Sequence, residues 1–115
     1  MTKRPLRSLR NSDSFKQFVL DQLDGLNVTG RSMFGGCGLY SAEYFFGIIA
    51  SDVLYLKVDD TNRRDYEDAG MKPFKPYPGR GGTMKYYSVP LSVLESRPEL
   101  EKWARAAIRA AAAPT

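Results

Sequence analysis

Apolar positions recur along this chain with two different periods. Phe15, Phe18, Val19, Gln22 and Leu23 fall at i, i+3, i+4, i+7 and i+8, and all but Gln22 are apolar. That is the stripe of an amphipathic helix, predicted over about residues 13–24. Ser14 with Gln17 has capping-box spacing, Asn11 and Ser12 are rival caps, and Gly25 stands where a glycine would end the helix. The pattern then turns strand-like. Residues 28–33, 38–41, 44–50 and 53–58 read as four strands. The glycine run joins the first two, Ser41-Ala42-Glu43 the next pair, and Ser51-Asp52 forms a two-residue hairpin loop. Alternation in the fourth strand puts Leu54, Leu56 and Val58 on one face and Val53, Tyr55 and Lys57 on the other. The first face is expected to pack on helices and the second to be partly wet.

Further on, Asp60 or Thr61 caps a short helix through Ala69, which Gly70 closes. Pro73, Pro76, Pro78, Gly79, Gly81 and Gly82 mark an irregular loop. Residues 83–89 form a fifth strand ended by Pro90, and residues 90–94 a helical turn. Ser96 caps a last helix with Pro98 and Glu99 in its first turn. Leu100, Trp103, Ala104, Ala107 and Ile108 share one face of it, and residues 110–113 read as a fray. The order predicts an α+β fold: a central antiparallel sheet of about five strands, N- and C-terminal helices on one face, and a short helix before the last strand.

At 115 residues the chain is one domain by length. Residues 1–11 are expected to be a basic flexible tail and residues 12–113 the domain. Lys3, Arg4, Arg7 and Arg10 have no apolar run behind them, which excludes a secretory signal, and no apolar segment approaches the roughly 20 residues of a membrane span. Cys37 is the single cysteine, so no internal disulfide forms. A cytoplasmic location is the expectation. Net charge is +4, yet residues 1–10 hold four bases and no acid, so the rest of the chain is neutral. A basic tail favours weak, salt-sensitive contact with polyanions. Histidine is absent, which removes imidazole as catalytic base, metal ligand and pH switch.

Four features carry candidate chemistry. Gly35, Gly36 and Gly38 could aim backbone N–H groups at an anion, but the run fits neither phosphate-binding motif and leads into a strand, so a tight strand connection is the better account. Cys37 needs a cation to become a reactive thiolate; Arg31 across the hairpin is the candidate, against a buried structural thiol. Lys72, Lys75, Arg80 and Lys85 lie among Phe74, Tyr77, Tyr86 and Tyr87 with no acid between, a pattern for nucleic-acid contact. The neighbouring acidic segment 59–68 would neutralise that loop. Asp60, Asp65 and Asp68 read as a solvated, capped helix rather than a magnesium site. No nucleophile–base pair or cofactor motif stands out, so the expectation is a non-enzymatic domain with no catalytic, cofactor or metal residues.

Several pieces in order resemble the N-terminal domain of the TfoX/Sxy family: Met33-Phe34-Gly35-Gly36 with Gly38, Leu54-Tyr55-Leu56-Lys57, Ala69-Gly70-Met71 before Pro73-Phe74, Met84-Lys85-Tyr86-Tyr87 ending at Pro90, and Trp103-Ala104. The resemblance spans about residues 15–111. It implies an α+β domain with a central antiparallel sheet, in which Met33, Phe34, Gly35, Gly36, Gly38, Gly70, Pro73, Phe74 and Trp103 are structural. Two-domain members resemble competence regulators acting with a cyclic-AMP receptor protein, and a helical domain follows there. For this chain the resemblance implies a regulatory or adaptor domain that binds a protein partner, such as a transcription factor, through an exposed sheet face or edge, with a homodimer through the sheet as one form. The alternative is direct nucleic-acid binding through the tail and the Lys72–Lys85 loop.

Overall fold

The computed structural model describes residues 10–33, 35–75 and 85–113. Helix α1 (Asp13–Gln22) is capped by Ser12, whose hydroxyl accepts from the Phe15 N–H at 3.2 Å. Of the three rival caps, Ser14 does not serve, and Asn11 does something else: its amide donates to the Ile49 carbonyl and accepts from the Asp52 N–H, both at 2.8 Å. The helix stops two residues earlier than its periodicity predicts. Asp24–Leu26 tighten into a 3₁₀ turn, which keeps Leu23 and Leu26 both buried. The left-handed residue behind it is Asn27 (φ 54°), not Gly25.

Five strands follow as an antiparallel meander in sequence order: β1 (Val28–Met33), β2 (Gly36–Ser41), β3 (Tyr44–Ala50), β4 (Val53–Lys57) and β5 (Tyr86–Ser88). β2 begins two residues earlier than expected. Met33 pairs with Gly36, so residues 34 and 35 make the connection, and Gly35 takes a positive φ (86°). Gly36 and Gly38 lie inside the strand. Ser51 and Asp52 both take positive φ, as a tight two-residue hairpin loop requires.

Leu54, Leu56 and Val58 face the helices as their alternation predicts, joining Cys37, Leu39 and Ile49 against Val19, Leu23, Leu100, Ala104 and Ala107. In β3 alternation breaks. A register shift at Leu39/Tyr40 pairs Leu39 with Gly47 and Tyr40 with Phe45, so Phe46 is an extra residue and joins the helix-side core beside Gly47. The opposite face is drier than expected. Tyr55 and Lys57 are half-buried, but Ile48, Ala50, Phe74 and Tyr86 form a second small core there.

Between β4 and β5 lies helix α2 (Arg63–Asp68). Gly70 (φ 74°) closes it: its N–H reaches the Glu67 carbonyl and the Met71 N–H the Tyr66 carbonyl, the paired bonds of a Schellman cap. The chain then runs along the outer side of β5. Phe74 N–H donates to the Tyr86 carbonyl at 2.7 Å, Ser88 N–H to the Lys72 carbonyl at 3.0 Å, and Pro73 bridges Tyr87. Proline is tolerated there because only alternate residues of an edge need an N–H. Residues 83 and 84 of the predicted fifth strand lie outside the described residues. After the short α3 (Leu91–Leu94), Ser96 caps α4 (Arg97–Ala112) by accepting from the Glu99 N–H. The predicted fray at residues 110–113 is helical through Ala112, because Ala110 is buried. Among the described residues no helix is long and apolar enough to cross a membrane.

Candidate functional site

The glycine hairpin is a packing device. A Cβ on Gly38 would lie 3.0 Å from Met33 Sδ and 3.1 Å from the Phe45 ring, so the residue gives side chains room to lie across the strand. Cys37 is buried, and Gly30 opposite it is so close that a Cβ there would meet Sγ at 2.9 Å. Desolvation pushes the thiol pKa up, outweighing the lowering by Lys16 and by the Arg31 backbone. The Arg31 side chain does not reach it: Arg31 pairs with Gly38 and Cys37 with Ser32, which puts the two side chains on opposite faces. The guanidinium lies over the Tyr40 ring instead, 4.9 Å from its centroid.

That contact starts a row across the sheet. Tyr40 stacks on Phe45 at 5.0 Å, Phe45 meets Tyr86 at 5.3 Å, and Lys57 Nζ sits 5.3 Å from the Tyr86 centroid. The Tyr86 hydroxyl donates to the Phe45 carbonyl at 3.1 Å. Ring faces here are turned to one another and to the two cations, which leaves little open face for a stacked base. Lys72, Lys75 and Lys85 are exposed, and the pairing of Lys72–Phe74 with β5 carries Lys75 towards Lys85. Lys85 also shares a surface hollow with Asp59, Asp60 and Arg63, so acidic neighbours offset it. Arg80 lies outside the described residues, as does Phe34.

A second hollow sits on the helix side. Between α2 and α4 opens a cleft of about 410 Å³ lined by Tyr66 and Trp103. The two rings meet edge-to-face at 4.7 Å. Lys102, Ala106 and Arg109 form one stripe of the α4 wall, where the small Ala106 leaves space between the cations, and Ala113 lies just beyond the helix end. Asp59 and Asp65 stand on the facing wall. The Asp59 carboxylate accepts from the Thr61 hydroxyl at 2.6 Å and the Thr61 N–H at 2.9 Å, which hold its pKa below the usual range. Asn62 is buried beneath this loop, its amide donating to the Lys57 carbonyl and accepting from the Asp59 N–H. Burial and then the Asp65 charge push the Tyr66 phenol far up, so it stays neutral. Its hydroxyl is the buried side-chain oxygen left without a hydrogen-bond partner among the described residues.

Of the sequence candidates, Trp103 and Asp65 fall in this cleft; Gly70, Pro73 and Phe74 serve the α2 cap and the β5 edge. Tyr66, Lys102 and Arg109 went unremarked in the sequence. The available signals were an aromatic inside an otherwise charged helix and two cations seven residues apart on one helical face.

A five-stranded antiparallel meander, helices on one face and a short helix before the last strand together define a small α+β domain. The family model of the TfoX N-terminal domain matches residues 20–111, and the chain belongs to that family. No curated protein matches the chain.

Proposed function

We propose that this chain is a non-catalytic regulatory domain that docks a protein partner along β1, in the manner its family suggests for transcriptional control of competence. One observation carries the reading: the two sheet edges are unequal. β5 is covered by Lys72–Phe74, whereas among the described residues β1 pairs with β2 alone, and its Thr29, Gly30, Arg31 and Ser32 are exposed. With a two-residue turn after it, Met33 belongs to a hydrogen-bonded pair, so Gly30 and Ser32 turn their N–H groups outward. Such an edge accepts an extended segment of another protein by strand addition.

The test is binding of purified chain to the host's cyclic-AMP receptor protein on promoter DNA, followed by fluorescence anisotropy. Ser32→Pro removes one outward N–H and leaves the β1–β2 ladder intact. Binding by the parent and its loss in a folded Ser32→Pro variant support the proposal; no binding, or equal binding by both, overturns it. Pairing of β1 with a second copy would occupy the same edge, and a strict monomer in concentrated solution by sedimentation argues against that form.

A further inference from the structure

We propose that the cleft between α2 and α4 binds a small zwitterion with an aromatic or apolar body, either a free amino acid or a short peptide. This goes beyond the β1 reading and does not depend on it. The argument begins with charge. Lys102 and Arg109 line one wall, Asp59 and Asp65 the other. Ion pairs among the described residues are Arg63–Asp60 and Arg64–Asp68, and neither crosses the cleft. The walls therefore face each other with opposite charge and without contact. A simple anion would meet the two carboxylates, and a simple cation the two bases. A ligand that carries both signs satisfies both walls.

Body and depth come from the same residues. Trp103 is half-buried and edge-on to Tyr66, an apolar lining for a ring or branched side chain. Ala106 and Ala113 keep the space open. A volume of about 410 Å³ lies within the range of small-molecule sites. The Tyr66 side chain is 1 % exposed, so it serves as a fixed apolar floor beneath Trp103.

Trp103 is the sole tryptophan, so the cleft reports on itself. Tryptophan fluorescence is followed during titration with L-phenylalanine, 3-phenylpropionate and phenethylamine. The expected result is a saturable change with L-phenylalanine and affinity at least about tenfold weaker for each single-charge analogue. Phenylalanylglycine, run in parallel, separates the sources: the tighter of it and L-phenylalanine says whether a peptide or a free amino acid is the ligand. Ala106→Leu fills the cleft and should abolish the response. Lys102→Gln and Arg109→Gln alter exposed positions that folding tolerates, and each should weaken L-phenylalanine while leaving phenethylamine unchanged. The proposal is overturned by no response to any probe, by 3-phenylpropionate or phenethylamine binding as tightly as L-phenylalanine, or by parent-like binding in both glutamine variants.

Discussion

Asn62 shows how much a single side chain can hold. Its amide ties the end of β4 to the loop before α2, donating to the Lys57 carbonyl at 3.1 Å and accepting from the Asp59 N–H at 2.8 Å. Asn62→Ala leaves both backbone groups without that partner, and we expect a loss of about 1–3 kcal/mol in urea unfolding. Gly47 is a second such point. A Cβ there would lie 3.2 Å from Leu39, 3.3 Å from Leu56 and 3.3 Å from the Tyr55 carbonyl. Backbone at the middle of a sheet cannot step aside, so Gly47→Ala should destabilise by about 1–3 kcal/mol; a Tm equal to the parent's would refute this. Neither residue stood out in the sequence. Asn62 looked like part of a helix start whose caps were Asp60 or Thr61, and Gly47 like one residue of an apolar run. What singles them out is a contact made by the fold, which no local pattern encodes.

Elements were more legible than residues. Ser96 was visible as a cap because the proline and glutamate behind it have the spacing of a helix start, and it caps α4. Gly70 was visible as a terminator, and its φ of 74° explains why. Gly70→Ala should cost about 1 kcal/mol through the left-handed backbone alone, since nothing lies within 4 Å of the added carbon; a thermal melt resolves it. The β3 bulge was not legible, because Phe45 to Ala50 is apolar throughout and fits either face. The covering of β5 by Lys72–Phe74 was hidden by Pro73, which reads as loop together with Pro76 and Pro78. The Asx turn of Asp59 adds a titratable check on α2. Thr61→Val removes the hydroxyl that holds the carboxyl pKa down, and the Asp59 titration followed by NMR should move up towards the ordinary carboxylate value. Asp59 contributes stability above its unfolded pKa, lost as pH falls through the lower folded value, so the valine variant should lose part of that contribution.

At the scale of the molecule, charge is divided between layers. All thirteen acidic side chains lie in helices, turns and loops; Arg31 and Lys57 are the only charged residues of the five strands. Two buried tyrosines, Tyr86 in β5 and Tyr66 in α2, respond to alkaline pH. Burial raises the Tyr86 phenol to about 12 and Tyr66 higher still. The unfolded chain ionises near 10, so both phenols contribute stability that is full below that pH and declines as pH rises towards the folded value. We expect Tm to fall between pH about 10 and about 12, and ultraviolet titration to show two tyrosines ionising late; a flat Tm through that window would count against it. The fold class was readable because strands adjacent in sequence are adjacent in space, and a meander needs only local turns. The cleft was not, because it joins α2 to a helix some forty positions later.

The order of the layers matters while the chain is being made. Strands β1 to β4 can pair as they leave the ribosome, but the helix that shields β3 and β4 is the last to emerge. Until residue 112 is out, Leu39, Ile49, Leu54 and Leu56 lack the cover of Leu100, Ala104 and Ala107, and a nascent or prematurely terminated chain presents that apolar surface to chaperones and to its neighbours.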